Sequence, residues 1–410
     1  MKIGIDLRPL QTGHKFRGIG AVTYYVSAEL AALKGPEDQI VAYLFENSEK
    51  IDLTPFGDDV IVEHLPHPKH GRLAKVFPGM NSRAMDIVRD TCDVFVQYDF
   101  HMGVPKDHRS ILLIHDIIPI QFGNQYPFSY LADYKTARRV GLSRKHAITE
   151  KALRRYVYIR DLNTALRSAT EVLAVSESSA RDIESFAEHD ITATPAILGF
   201  TPEPKNNRDG LLMLEKARLD GLGLKKDNFL FFVGGVDDRR RIDELVAAFN
   251  YLRSTGHDLK LVLGGHDFEP DMSRVFSPAA RHAIETSSYR DDICMLGFIS
   301  DQERDWLYEH AKAFVFPTEY EGFGIPILES QAVGCPIIVY NNSAVPEVAG
   351  PNTFLADNWM GIVDRVNELE EMSKADRKQA AEKGIEWVHK FTWAKTAKSF
   401  MKAIERAAEK

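Results

Sequence analysis

The stretch "AFVFPTEYEGFGIPILESQAVGCPIIVYN", residues 313–341, decides how the chain is read. Two short apolar runs, AFVF and PIIVY, bracket a segment in which Pro326 suits the first turn of a helix. Its φ is already fixed there, and the donor it lacks would have been unpaired anyway. Apolarity that is continuous over so few residues marks strands buried on both faces, with helices as the crossovers of a parallel sheet. Gly322 to Ile325 therefore lie on a strand-to-helix turn, where free amides and the positive end of the helix dipole favour an anion such as phosphate. Glu321 precedes the turn, and Glu329 falls in the first turn of the helix. A ligand with diols on both sides of a phosphate reconciles them: each carboxylate accepts from hydroxyls while the amides between take the phosphates. Sugar nucleotides have that layout. A carboxylate–hydroxyl bond contributes about 1.5–3 kcal/mol, enough to matter for selectivity. On residue types alone, a solvated Glu321 and a Glu329 that merely favours the helix dipole are the commoner reading, because acidic residues are frequent at helix starts.

The same pattern runs through both halves. KIGIDL, IVAYLF, DVFVQY, SILLIHD and EVLAVS in the first, and NFLFFVGG, LKLVLGG, ICMLGF, AFVFPT and PIIVYN in the second, alternate with segments of helical period. The architecture expected is α/β, twice over: two Rossmann-like domains with parallel sheets. A chain of 410 residues fits two domains of about 200 each. The boundary falls at "GFTPEPKNNRDG", residues 199–210, rich in Pro, Asn and charge. We therefore expect an N-terminal domain over 1–200, a linker region over 201–226, a C-terminal domain over 227–390 and a final helix over 391–410. Thr392 can cap that helix, in which Trp393, Ala397, Phe400 and Ile404 recur at helical spacing.

Bulk properties exclude several classes. The composition, 44% hydrophobic and 27% charged, is that of an ordinary globular protein, and no run approaches the roughly 18 apolar residues of a membrane span. The start, MKIGIDLRPL, lacks the apolar core of a secretory signal, so a cytoplasmic location is expected. Cys92, Cys294 and Cys335 show no paired spacing and read as buried thiols, not as a zinc site or a disulfide framework. A net charge of −8 argues against nucleic acid as a partner, so an anionic ligand must be held by local groups.

With EGFGIPILE and then GCPIIVYNNSAVPEVAG, the chain resembles the retaining glycosyltransferases of family 4, whose signature is E-x7-E and whose fold is GT-B. The resemblance implies that Glu321 and the backbone of Phe323, Gly324 and Ile325 engage the donor sugar, and that Glu329 holds the ribose. "RGIGAVTYYVSAEL" is similar to the family's N-terminal glycine loop, in which Gly18 and Gly20 would let the backbone approach the diphosphate. A plain pair of turn glycines is the other reading. "FFVGGVDDRRRIDELVAAF" resembles the family's G-G-x-D-P-R-K-N element, with Gly235 beside the donor and Arg239 and Arg240 neutralising its diphosphate. Here Asp238 replaces the usual proline, Arg240 the lysine and Arg241 the asparagine, which changes the geometry because arginine is a fork where lysine is a point charge. Without the resemblance this is also a solvated basic turn. "SILLIHDIIPIQF" places His115 and Asp116 at the C-terminal end of a buried strand and resembles the family's H-D-x-x-P element, whose histidine lies against the donor sugar; a lone histidine ending a strand is otherwise structural. Ser176 in EVLAVSESSARDI reads as a helix cap.

By resemblance, the two domains face each other across a cleft, the acceptor on the first and the nucleotide sugar on the second, and the last helix crosses back to the first. The implied reaction moves a hexose from a GDP- or UDP-sugar to a saccharide or lipid-linked saccharide with retention, by a front-face route in which the departing phosphate helps deprotonate the acceptor. No DxD-like pair is seen, so no metal and no other cofactor is expected. H-D-I-I-P leans the sugar towards GDP-mannose. The basic segment Tyr134 to Tyr156 can lie against anionic headgroups at the inner face of a membrane, or simply be a solvated helix face. A non-hydrolysing sugar-nucleotide epimerase and a catalytically silent sugar-nucleotide-binding subunit are the alternatives.

Overall fold

A computed structural model describes residues 1–16, 18–67, 82–123, 144–201, 213–272 and 277–410. The chain divides into two compact units, Met1–Gly199 with Phe391–Lys410, and Phe200–Lys390. In the first, β1 (Lys2–Asp6), β2 (Gln39–Phe45), β3 (Ile61–Leu65), β4 (Val94–Gln97), β5 (Ser110–Ile114), β6 (Glu171–Ala174) and β7 (Ala193–Pro195) form one parallel sheet in the order β3-β2-β1-β4-β5-β6-β7. Central strands β4 and β5 are buried along their whole length, which is why they read as unbroken apolar runs. In the second unit, β8 (Phe229–Val233), β9 (Lys260–Gly264), β10 (Ile293–Gly297), β11 (Ala313–Phe316), β12 (Ile337–Tyr340) and β13 (Thr353–Ala356) form a parallel sheet in the order β10-β9-β8-β11-β12-β13.

Both sheets reverse direction once. The chain winds outward from β1 to β3 and then restarts with β4 on the other side of β1; in the second unit β11 likewise restarts beside β8. Loops leaving two such neighbouring strands part in opposite directions, and the crevice at their C-terminal ends is where open α/β sheets bind ligands. The residues after β1 and β4, and after β8 and β11, are thus the places to look.

Three strands escaped the sequence reading: β3, β7 and β13. All are edge strands. β3 alternates between half-buried and exposed positions up to the buried Leu65, β7 is three residues long with Pro195 at its end, and β13 is half-buried, so none shows continuous apolarity. The stretch read as linker, 201–226, needs correction at its C-terminal end. Met213–Gly221 is a helix with Leu219 buried, and Arg218 donates to Glu303, so packing and pairing tie it to the second unit.

The final helix, Trp393–Glu409, starts at the Thr392 cap and belongs to the first unit. Trp393 stacks on Tyr25 at 5.2 Å, Thr396 donates to the Ile197 carbonyl at 2.7 Å, and Arg406 pairs with Glu171 at 2.6 Å. Gly265, after β9, is fixed as glycine by its neighbour: with φ at +130°, a β-carbon there would sit 2.2 Å from the Gly234 carbonyl oxygen. That close approach brings the ends of β8 and β9 together. Cys92, Cys294 and Cys335 are buried free thiols; burial pushes Cys335 up to about 12 and keeps it unreactive. Among the described residues no helix is long and apolar enough to cross a membrane. Of the basic segment Tyr134 to Tyr156, residues 134–143 lie outside the described residues, and the rest opens the helix Arg144–Ser168.

Candidate functional site

In the second unit, the segments leaving β8 and β11 meet. After β8, Asp238–Arg240 form a single 3-10 turn, and Arg241 then adopts a left-handed conformation, φ +49°, before the helix Ile242–Ser254. Asparagine tolerates that conformation better than arginine, which is the physical content of the departure at this position. After β11, Gly324 caps the helix Ile325–Ala332 with φ at +97°, and Pro326 sits in its first turn. The turn is braced from outside. Glu321 N donates to Ser343 Oγ at 2.9 Å, and Asn342 Nδ2 donates to the Thr318 carbonyl at 2.9 Å. Phe323 and Gly324 are buried within it, and Ile325 is half-buried.

Arg239, Arg240 and Glu321 form one cluster. Arg239 Nη1 donates to Glu321 Oε1 at 2.7 Å, to Thr318 Oγ1 at 3.1 Å and to the Tyr320 carbonyl, while its Nε lies 3.1 Å from Asp237 Oδ1. Arg240 also pairs with Glu321, and its guanidinium lies 4.9 Å over the Phe316 ring. The arginines that the resemblance assigns to a diphosphate therefore share the carboxylate that it assigns to the sugar. Arg239 is 6% exposed and anchored on four sides; Arg240 is the less buried of the two at its side chain. Gly235 precedes them in the chain, and a β-carbon there would stand 3.4 Å from Asp267 Oδ2, an ordinary contact, so no steric strain requires glycine at that position. Burial pushes the Glu321 carboxyl up, but Arg240 and Arg239, with hydrogen bonds from Arg239 and Thr318, hold it below the usual range. It is an ionised acceptor of hydrogen bonds at neutral pH.

Glu329 has a different environment. The Tyr308 hydroxyl donates to its Oε2 at 3.1 Å, Arg304 lies 3.6 Å away, and burial prevails over both to raise the carboxyl. Its stabilising contribution is full below the unfolded carboxyl value and is lost as pH rises through the raised folded one. Glu329→Gln, which mimics the protonated form, is accordingly expected to melt higher than the wild type at pH 7 and no higher at pH 4; calorimetry at the two pH values checks this. A lower melting temperature at pH 7 would show that the Arg304 and Tyr308 contacts outweigh burial.

His115, Gly18 and Gly20 belong to the first unit. His115, after β5, donates from Nε2 to the Tyr98 carbonyl at 3.0 Å, which leaves Nδ1 as an acceptor. Burial lowers it to about 4, so the ring is uncharged at neutral pH. Asp116 Oδ1 accepts from Ile118 N at 2.9 Å, at the start of the short helix Ile118–Gln121. Ser176 caps Glu177–Phe186 by accepting from Ser179 N. Gly18 is exposed at the start of the helix Gly18–Leu33; Gly20 is buried, and a β-carbon on it would meet the His14 carbonyl at 2.5 Å. The space its missing side chain leaves is filled by the chain's own backbone.

The sequence reading passed over a second cluster, in the first unit at the ends of β1 and β4. Asp6 and Arg8 are paired bidentately, both bonds 2.7 Å, and buried. Asp99 follows β4: its Oδ1 accepts from His101 N at 3.0 Å and Nδ1 at 2.8 Å, and His14 Nε2 stands 3.4 Å from its Oδ2. Burial pushes Asp99 up, yet His101 and then His14 bring it down to about 2. The signal was present, a carboxylate directly after the apolar run DVFVQY, but it has no spacing motif to mark it. Among the described residues no group of three or more His, Cys, Asp or Glu could hold a metal ion.

Two parallel-stranded α/β units of this kind make up the GT-B fold, and solved structures share it. Anabaena HepE, crystallised in complex with UDP and glucose, superposes with a TM-score of 0.65 at 15% identity over 99% of each chain. Sucrose-phosphate synthase from Thermosynechococcus elongatus gives 0.64 at 15% identity over 99% of this chain and 98% of that one. Residues 217–387, within the second unit, match the family model of Glycosyl transferases group 1. The chain is 28% identical to the O-antigen chain mannosyltransferase B of Escherichia coli over 57% of its length and 60% of that protein's. It is 21% identical to the serotype-specific mannosyltransferase WbdA of Escherichia coli over 97% of its length, but that stretch is only 47% of the relative. The chain thus spans about half the length of the curated relatives it matches.

Proposed function

We propose that this protein is a retaining glycosyltransferase that moves a hexose, mannose in the first instance, from a nucleoside-diphosphate sugar to a saccharide or lipid-linked saccharide. The observation that carries the reading is the cluster of Arg239, Arg240 and Glu321 at the switch point of the second sheet, beside the N-terminal end of the helix Ile325–Ala332. It supplies acidic acceptors for sugar hydroxyls and cationic or amide donors for a pyrophosphate within one turn. The names of the relatives support mannose.

Departure of a nucleoside diphosphate develops negative charge on the leaving oxygen, and preorganised donors in a dry site lower its energy most. Arg240, the less buried arginine, and the helix amides take that charge; Arg239 holds Glu321 in place; Glu321 orients the donor sugar; Glu329 takes the ribose diol. The charge is met by protein groups without a metal. On the front-face route, the glycosidic bond to the phosphate breaks as the acceptor oxygen bonds to the same face, and the acceptor proton passes to the departing phosphate. No carboxylate nucleophile is invoked. The test is transfer from GDP-mannose and UDP-glucose to mannosides, followed by proton NMR of the product. The reading requires the donor's anomeric configuration in the product; inversion overturns the mechanism, and absence of transfer from either donor overturns the assignment.

A further inference from the structure

The first sheet also has a switch point, between β1 and β4, and a buried polar atom there accepts no hydrogen bond among the described residues. Asp99 is 5% exposed. Its Oδ1 is fully used by His101, but its Oδ2 receives no hydrogen bond among the described residues. An ionised oxygen left so is costly, and native structures rarely keep one without a use. The surroundings are arranged to hold it. Gly20 lets the His14 turn press onto the helix Gly18–Leu33, which brings the His14 ring to Oδ2 at 3.4 Å. That ring is about one-third exposed and forms no hydrogen bond to Oδ2, so a hydroxyl taking its place makes the bond the ring does not. His101, half-exposed and stacked on Phe100 at 4.0 Å, fixes the carboxylate from the other side, and His115 adds an uncharged ring at the end of the neighbouring β5.

We infer that Asp99 Oδ2, flanked by His14 and His101, accepts a hydrogen bond from a hydroxyl of the saccharide acceptor, the first unit's counterpart of the donor cluster. The inference rests on the glycosyltransferase reading and names where that reading's acceptor is gripped. A carboxylate that accepts only is selective for ligands presenting hydroxyl hydrogens, and its switch-point position matches the general placement of ligands on such sheets.

The test uses full-length wild type, Asp99→Asn and Asp99→Ala, with p-nitrophenyl α-D-mannopyranoside as acceptor and GDP-mannose as donor. Both variants are expected to raise the acceptor KM about ten- to a hundredfold. The donor KM and the rise in melting temperature on adding GDP-mannose should stay at wild-type values. In the wild type, the acceptor should shift the His101 and His14 ring resonances with half-saturation near its KM, a readout that stands even if a variant fails to fold. An acceptor KM unchanged in Asp99→Asn, or ring resonances indifferent to saturating acceptor, overturns this inference alone. No transfer by the wild type, together with no response to GDP-mannose or UDP-glucose, overturns the glycosyltransferase reading and this inference with it.

Discussion

Arg239→Met is expected to destabilise the protein by about 3–5 kcal/mol at pH 7, the usual cost of removing one partner from a buried ion pair. Methionine fills similar volume, so the loss is electrostatic and not a cavity. The guanidinium is 6% exposed and bonds Glu321, Thr318, the Tyr320 carbonyl and Asp237 at once, so its removal takes a buried cationic donor from two carboxylates, a hydroxyl and a carbonyl together. Arg240 cannot take over. It already serves Glu321 from the other side, and it stands 3.8 Å from Asp237. Arg240→Met should instead cost little stability and much activity, since its side chain is more accessible and it loses fewer buried partners. Urea denaturation of the two variants separates the roles; equal stability losses would mean that the division between an anchoring and a ligand-facing arginine is wrong.

Glu321→Gln is the second large effect. The amide keeps the shape and can still accept from Thr318 or Arg239, but it lacks the charge that the two arginines balance. Transfer should fall by about 10²–10³, the scale of losing one preorganised electrostatic contact in an active site. Stability should fall too, in a pH-dependent way. Since the folded carboxyl lies below its ordinary value, its contribution is present above the unfolded pKa of about 4.3 and is lost as pH falls through the folded value. The stability gap between wild type and variant should therefore be full at pH 7 and close in strong acid. Kinetics at pH 7 and melting curves from pH 7 to 3 check both parts; a variant with wild-type turnover would remove Glu321 from the site.

The strands legible in the sequence were those whose burial made them continuous. All ten apolar runs became strands, because β4, β5, β8, β11 and their neighbours are covered on both faces, and what is covered must be apolar throughout. β3, β7 and β13, at sheet edges, carry no such mark. The turn before Pro326 was legible because glycine and proline announce backbone geometry directly, and the φ of +97° at Gly324 is a conformation its neighbours would resist. What could not be read was pairing. Arg239 and Glu321 are 82 residues apart in the chain, and only the adjacency of β8 and β11 brings them into contact. Asp99 illustrates the same limit: one acidic residue after a strand becomes notable only when the strand order places it at a reversal and its second oxygen accepts no hydrogen bond among the described residues.

The melting temperature of the wild-type protein with and without millimolar GDP, UDP, GDP-mannose and UDP-glucose tests the central claim most directly, since a ligand bound only by the folded state stabilises it by RT ln(1 + [L]/Kd). At least one nucleotide or its sugar should raise it by several degrees, and Glu321→Gln should blunt the added rise given by the sugar. If none of the four moves the wild-type transition, the cluster of Arg239, Arg240 and Glu321 is not a nucleotide-sugar site.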